Sequence, residues 1–591
     1  MADKILQIKS LPGIKRDGTK FEGDNYVDGQ WVRFQRGLPR KIGGYRSINK
    51  YLREISTQLS EYTQDQLTYI HSGSANYVER FFIDASNNTS PIIDRTPEND
   101  FTPDPGNMWQ FTYDGLGDTN QIIAQVAPNY SCICNSLGGE VFYGDLLGTD
   151  PLVAIAIPGG GNATGGVVAL HPYTFMYGSN GYVAWSVPGD PSDFSGAGSG
   201  DAYITSQKIV RGLPLRGGPG NSPSGLFWSA DSLIRISFVG GDQIFQADTL
   251  STQSSILASN SVIEYDGIFY WCGVDRFLLF NGTVQEVDNN LNINYFFDGL
   301  NYAARQKVFA MKVPRYGEIW WCYPRGQATE CTHAVIYNVR EKTWYDLELP
   351  NGGRSAGLFP AVFRKPLMTG VAPQPAAAFD VAVTDGGLGY VVGDVLTVAG
   401  GAYSIPTQLT VTEIDDMAGD TILAVEISNA GAYTLAPSNP VDVTGGSGAD
   451  ATFDITFVNP FKFWVHEIGH DEIDGQNIQP ILSFFETADL SLPVMTQENK
   501  ALQVLMLEPD FVQSGDMTVQ VRGRANARGP EVNGEIKTIV QTPSIPQQQV
   551  IYFKDQRREL RFRFESNVIG GDYQMGICLG HLQPGDGTVI G

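Results

Sequence analysis

The chain of 591 residues is longer than one ordinary domain and points to three or four units, unless a single large β-propeller takes several hundred residues. Its 67 Gly, 33 Pro, 26 Tyr and 31 Phe favour many short strands joined by tight turns, and a hydrophobic share of 42% excludes wholesale disorder. A formal net charge of −24 argues against a sequence-specific DNA reader, whose reading face is basic.

In chain order, residues 1–53 come first, with twelve Lys and Arg against five Asp and Glu: +7, which leaves −31 for the remainder. Such asymmetry reads either as a solvated basic terminus or as an arm that docks on an acidic partner or on nucleic acid. The opening Met1-Ala2-Asp3-Lys4 lacks the apolar stretch of a signal peptide. No apolar run reaches the roughly 18 residues of a membrane span. A soluble protein made in the cytosol, with no membrane anchor, is expected. Of the six cysteines only Cys132 and Cys134 are close, and their spacing is too tight for an ordinary clip, so free and mostly buried thiols are expected.

From there the pattern is strand, polar turn, strand, with an aromatic near the middle of each unit. A weak unit spans 66–94, and clearer ones follow at 167–186, 226–245, 262–287 and 309–349. A recurring unit of a few short strands is the sequence form of a propeller blade, and six to eight blades are expected. One short helix is predicted within 300–311. The pattern breaks at 380–457, where Gly387 to Val398 is echoed by Gly431-Ala432-Tyr433 and by Val441 to Gly446. The expected fold class is therefore all-β: a β-propeller with an inserted small β-domain and a C-terminal β-sandwich. The expected divisions are 1–60, a basic N-terminal arm and first propeller strands; 61–375, the propeller; 376–458, the insert, read as a compact sandwich or roll; 459–490, a closing blade; and 491–591, the sandwich. Within the last, Arg561-Phe562-Arg563-Phe564 alternates an aromatic face with a cationic one.

Three motifs invite a catalytic reading. His466-Glu467-Ile468-Gly469-His470 is a literal H-E-x-x-H, which binds zinc when a helix puts both histidines on one face. Here a strand pattern, Phe461 to Val465, enters the motif and Asp471 to Gly475 follows as a turn, so a strand end is expected instead. The glycines at 158–161 and 212–220 lack the Gly-Lys-Ser/Thr ending of a phosphate loop. A glycosidase needs two carboxylates about 5–10 Å apart across a cleft, and sequence marks out no such pair. No catalytic residue, metal ligand or cofactor is assigned.

The run Gly29-Gln30-Trp31-Val32-Arg33-Phe34-Gln35-Arg36-Gly37-Leu38-Pro39-Arg40-Lys41-Ile42-Gly43-Gly44-Tyr45 resembles the start of tail hub proteins of short-tailed bacteriophages, also called packaged-DNA stabilisation or nozzle proteins. Trp464 to Glu467, Asp474-Gly475 and Ser483 to Thr487 are similar to a late blade of that family. Arg561 to Asn567 and Gly580-His581-Leu582 resemble its C-terminal domain. The resemblance covers most of the chain outside 380–457, and the insert departs from the simplest family plan. It implies a structural virion protein, made in the host cytoplasm and placed in the tail, and not an enzyme. Its copies would form a homohexameric ring that extends the DNA channel below the portal and adaptor, retains packaged DNA and conducts it on ejection. Implied partners are the head-to-tail adaptor and portal, tail fibres or other tail proteins, and genomic DNA passing without sequence-specific contact. Arg33, Arg36, Arg40 and Lys41 are the candidate adaptor-docking residues. The alternative is a propeller-type tail protein that binds or cleaves glycans.

Overall fold

The computed structural model describes residues 4–20, 22–84, 86, 88–98, 108–114, 120–126, 140–156, 163–215, 223–361, 363–417, 419–491, 500–526, 528–545 and 550–585. Cys132, Cys134 and the glycines at 159–161 and 217–220 lie outside them. The described residues are all-β, with one α-helix, Ile293–Gly299. Two compact units are formed: the first holds 1–48, 57–368 and 464–591, the second 49–56 and 369–463.

The first unit contains six successive four-stranded antiparallel meanders. They open with Gln58–Gln64, Met108–Asp114, Gly166–Leu170, Ile209–Pro214, Ile263–Tyr265 and Phe309–Val313, and each runs in sequence order to its fourth strand. The opening strands of the first four are neighbours in turn. The fourth meets the 3-10 turn Ser259–Ser261 just before the fifth, the fifth lies beside the sixth, and the sixth lies beside Arg354–Leu358. That strand lies in turn beside Gln58–Gln64, which closes the circuit.

The sequence makes these sheets because both their faces are buried. In Ser224–Ser229, Phe227 joins Phe175 and Ile234 on one side, while Leu226 and Trp228 join Phe269 and Trp271 on the other. Tyr270, between Phe269 and Trp271, joins Phe277, Trp321 and Val335 in the next layer. Side chains alternate across a strand, so a near-continuous apolar run fills two interfaces at once.

The chain ends are built differently from expectation. Lys4–Ile8 pairs with Cys578–Pro584, Asp28–Gln30 with Ser483–Glu486, and Val32–Gln35 with Leu38–Lys41, the latter beside Asp572–Met575. Lys4–Ile8, Asp28–Gln30, Val32–Gln35 and Leu38–Lys41 are therefore strands of sheets shared with the C-terminal region, and Leu11–Ile14 pairs with Asn25–Tyr26 in a small sheet of its own, so these strands are not a free arm. Around Glu559–Ser566 the strand order is Asp28–Gln30, Ser483–Glu486, Glu559–Ser566, Met517–Arg524, Val532–Ile539. One core joins Trp31, Phe34, Phe485, Phe562 and Phe564. The α-helix Ile293–Gly299 lies before 300–311, and that stretch itself holds a short 3-10 helix, Tyr302–Lys307. The Asp17 carboxylate accepts from the backbone N–H of Asn294 and Tyr295 at the first turn of the α-helix (2.9 and 2.8 Å).

In the second unit, strands run in the order Ala377–Leu388, Ala449–Val458, Val441–Thr444, Val395–Val398, Gln408–Asp415, Thr421–Asn429. A Cβ on Gly386 would sit 2.5 Å from the Ile422 carbonyl, so the first and last strands adjoin and the sheet is a nearly closed barrel. Leu396, Leu409, Val411, Phe453 and Ile455 fill it.

Candidate functional site

One buried ion network lies beside the strands formed by the chain ends. Arg33, on a strand whose neighbours are core residues, is fully buried. Its Nε lies 2.8 Å from Glu318 Oε1, its Nη2 donates to Glu318 Oε2 (3.1 Å), and its Nη1 donates to Glu467 Oε2 (3.0 Å). The guanidinium lies 3.6 Å from the centre of the Tyr316 ring. Burial alone would depress the Arg33 pKa, but Glu318 and Glu467 outweigh it and hold it above its ordinary value. Glu318 also accepts from Tyr345 OH (2.6 Å) and Trp320 Nε1 (2.9 Å), and burial raises its carboxyl against the pull of Arg33.

Of the H-E-x-x-H residues, Glu467 joins this node directly. His466 ends the strand Phe461–His466, and Glu467 turns the chain with φ of 60°. Gly43 is needed opposite: a Cβ there would lie 3.0 Å from Glu467 Cα. Arg354 Nε donates to His466 Nε2 (3.2 Å), and the imidazole stacks on Tyr45 with centroids 5.2 Å apart. Burial, then Arg354, pushes His466 well below its ordinary range, so it is neutral. His470 Nδ1 sits 3.7 Å from Asp572. The helix that would align the two histidines on one metal is absent here, and among the described residues no group of three His, Cys, Asp or Glu could hold a metal ion. Glu318 and Glu467 cannot flank a glycosidic bond, because Arg33 bridges them and Glu318 is fully buried.

A second network lies on the cationic face of Glu559–Ser566. Arg561 reaches Glu486 (2.8 Å), Asp489 (3.0 Å) and Glu531. Arg522 and Arg563 also donate to Glu486 (2.7 and 3.2 Å), and Arg524 to Asp489 (2.7 Å). A third set crosses between meanders: Arg211 donates to Gln110, Gln110 to Asn260 (3.4 Å) and Asn260 to the Thr57 carbonyl (3.5 Å). A cleft of 380 Å³ is lined by Arg16, Asp17, Tyr295, Asp298 and Arg325. Its cations are engaged: Arg16 with Asp28 and Asp346, Arg325 with the Tyr295 carbonyl (2.7 Å) and ring (3.6 Å).

The four docking candidates separate into two kinds. Arg33 and Lys41 are buried, so no partner surface can be built on them. Lys41 donates to the Gly571 carbonyl (2.7 Å), and burial lowers its pKa to about 8 against the opposing pull of Asp471 and Asp572. Arg36 is exposed at a turn held by Glu341, which accepts from the Arg36 and Gly37 backbone N–H (2.8 and 3.1 Å). Arg40 is half-buried and donates to Gln35 (2.9 Å). Of the four, only Arg36 and Arg40 reach the surface. Sequence reasoning missed Glu318, Asp346, Glu486 and Asp489; the one local signal is Glu318 heading the aromatic strand Glu318–Tyr323.

No protein-family model matches the chain, and no curated protein is similar to it.

Proposed function

We propose that the chain is a structural ring-forming component of a short bacteriophage tail, a hub or nozzle around the DNA channel. The observation that carries this reading is spatial. The scattered segments in which the resemblance lies converge on one module: 29–45 pairs with 483–486 and 572–575, Arg33 holds Glu467, Tyr45 packs on Trp464, and Arg561 holds Glu486. Segments hundreds of residues apart that build one body make a coherent signature.

In this reading the six meanders are blades of a β-propeller. A further blade opens with Arg354–Leu358, which lies between the sixth and the first. The sheets formed by the two chain ends are the terminal sandwich. Buried arginines saturated by carboxylates suit a rigid scaffold, since a buried charge that loses its partner is strongly destabilising. The chain's net charge of −24 suits a conduit, because each neutralised phosphate adds salt-dependent grip on DNA. Cyclic assembly uses one heterologous interface repeated until the ring closes.

Mass photometry of the purified full chain tests this reading. Particles at six times the 64.4 kDa chain mass support it, and a monomer that cleaves or binds polysaccharide overturns it. Reversing Arg36 and Arg40 to Glu should weaken capture by an acidic adaptor while leaving the fold intact. Reversals at Arg33 or Lys41 would disrupt the interior and test nothing about docking.

A further inference from the structure

The second unit carries a surface feature that its own fold does not use. Two adjoining turns at one end of the barrel present Leu388, Val391, Val392 and Met417 to solvent, at 62%, 56%, 54% and 99% exposure. They are held together: Gly389 N–H donates to the Gly419 carbonyl and Tyr390 N–H to the Asp420 carbonyl, both at 3.0 Å. Asp394 pins the first turn by accepting from the Val391 and Ser447 backbone N–H (3.0 and 2.9 Å). Asp415 pins the second by accepting from the Met417 N–H (2.9 Å). Tyr390, between the exposed residues, is buried and anchors the tip in the core. Apolar side chains are thus displayed on a fixed backbone, which lowers the ordering cost of binding.

The charge on these two turns has one sign. Residues 366–461 contain eleven Asp and Glu and no Lys, Arg or His, and the cations of this unit, Lys50, Arg53 and Lys462, fall on segments outside that stretch. Asp394, Asp415, Asp416 and Asp420 lie on the two turns themselves. An apolar centre inside a charged rim is the anatomy of a protein interface, and an acidic rim selects a basic counterpart. It also disfavours a second copy of the same tip and any anionic lipid or polysaccharide.

We infer that this tip is a docking surface for a partner protein that offers an apolar socket flanked by Lys and Arg. The inference stands independently of the tail reading.

The test uses the full chain and synthetic amphipathic peptides, one of Leu and Lys and one of Leu and Glu, followed by fluorescence anisotropy. The Leu/Lys peptide is expected to bind, and the triple variant Leu388→Ser, Val392→Ser, Met417→Ser to weaken it by about tenfold or more with an unchanged circular dichroism spectrum. Replacing Asp415, Asp416 and Asp420 by Asn should flatten the salt dependence of binding while the apolar contact remains. Equal binding of the Leu/Lys peptide to the serine variant, or equal binding of the Leu/Glu peptide to the native chain, overturns the inference. So does self-association by sedimentation velocity that the serine variant abolishes, since the occupant would then be another copy.

Discussion

Replacing Arg33 by Met removes the cation from the interior node while keeping much of the side-chain volume. Glu318 then stays fully buried, its remaining partners being the Tyr345 hydroxyl and the Trp320 indole N–H. Removing one partner of a buried pair costs about 3–5 kcal/mol, and Arg33 serves two carboxylates, so a loss toward the upper end is expected. The loss must depend on pH. Burial already holds the folded-state Glu318 carboxyl above its ordinary value, and without Arg33 it climbs further. A group whose folded pKa is raised stabilises the fold below its unfolded pKa and loses that contribution as the pH rises through the folded pKa. The deficit of the variant is therefore largest above the raised folded pKa of Glu318 and shrinks as the pH falls toward the ordinary carboxylate range. All nine tryptophans lie in the first unit, so urea unfolding followed by tryptophan fluorescence reports on this unit. The double variant Arg33→Met, Glu318→Gln should recover much of the loss, because it removes the stranded charge. A deficit under about 1 kcal/mol, the size of an exposed pair, would refute the reasoning, as would a larger deficit flat in pH.

Lys41 has a depressed folded pKa of about 8, so the unfolded chain binds more protons above that pH and stability gains a rising component there. Melts across that interval should show this component in the native protein and lack it in Lys41→Met. Phe564→Ala, in the shared core, should cost about 3–5 kcal/mol in the same urea assay. Gly44→Ala should lower the melting temperature sharply, because its Cβ would lie 2.3 Å from the Asp471 carbonyl, a backbone atom that cannot swing aside. Metal analysis of the purified chain should find no stoichiometric zinc, and His466→Ala should not change that result, since Arg354 already occupies the imidazole nitrogen.

The all-β class was legible because alternation, aromatic centres and glycine turns are local signals. Trp228 and Phe227 show it: adjacent residues on one strand feed two different hydrophobic layers. The strand end at His466 was legible for the same reason. Long-range pairing was not. Arg33 sits in a run rich in Lys and Arg and reads as surface, yet its carboxylates lie 285 and 434 positions away. The α-helix Ile293–Gly299 was not legible because Asp17, which caps Asn294 and Tyr295, is distant in sequence. Residues 49–56 likewise join 369–463 in the second unit through contacts no local pattern announces. Lys41 looked like a docking cation because nothing near it in sequence indicates that Gly571 covers it.

The proposed ring is tested most directly by electron microscopy of the purified full chain, imaged alone and in the assembled particle. The account predicts a closed ring of copies around a hole wide enough for duplex DNA, with the module of Arg33, Glu318 and Glu467 intact in every copy. Isolated monomers in both preparations, or a ring with no axial opening, would contradict it.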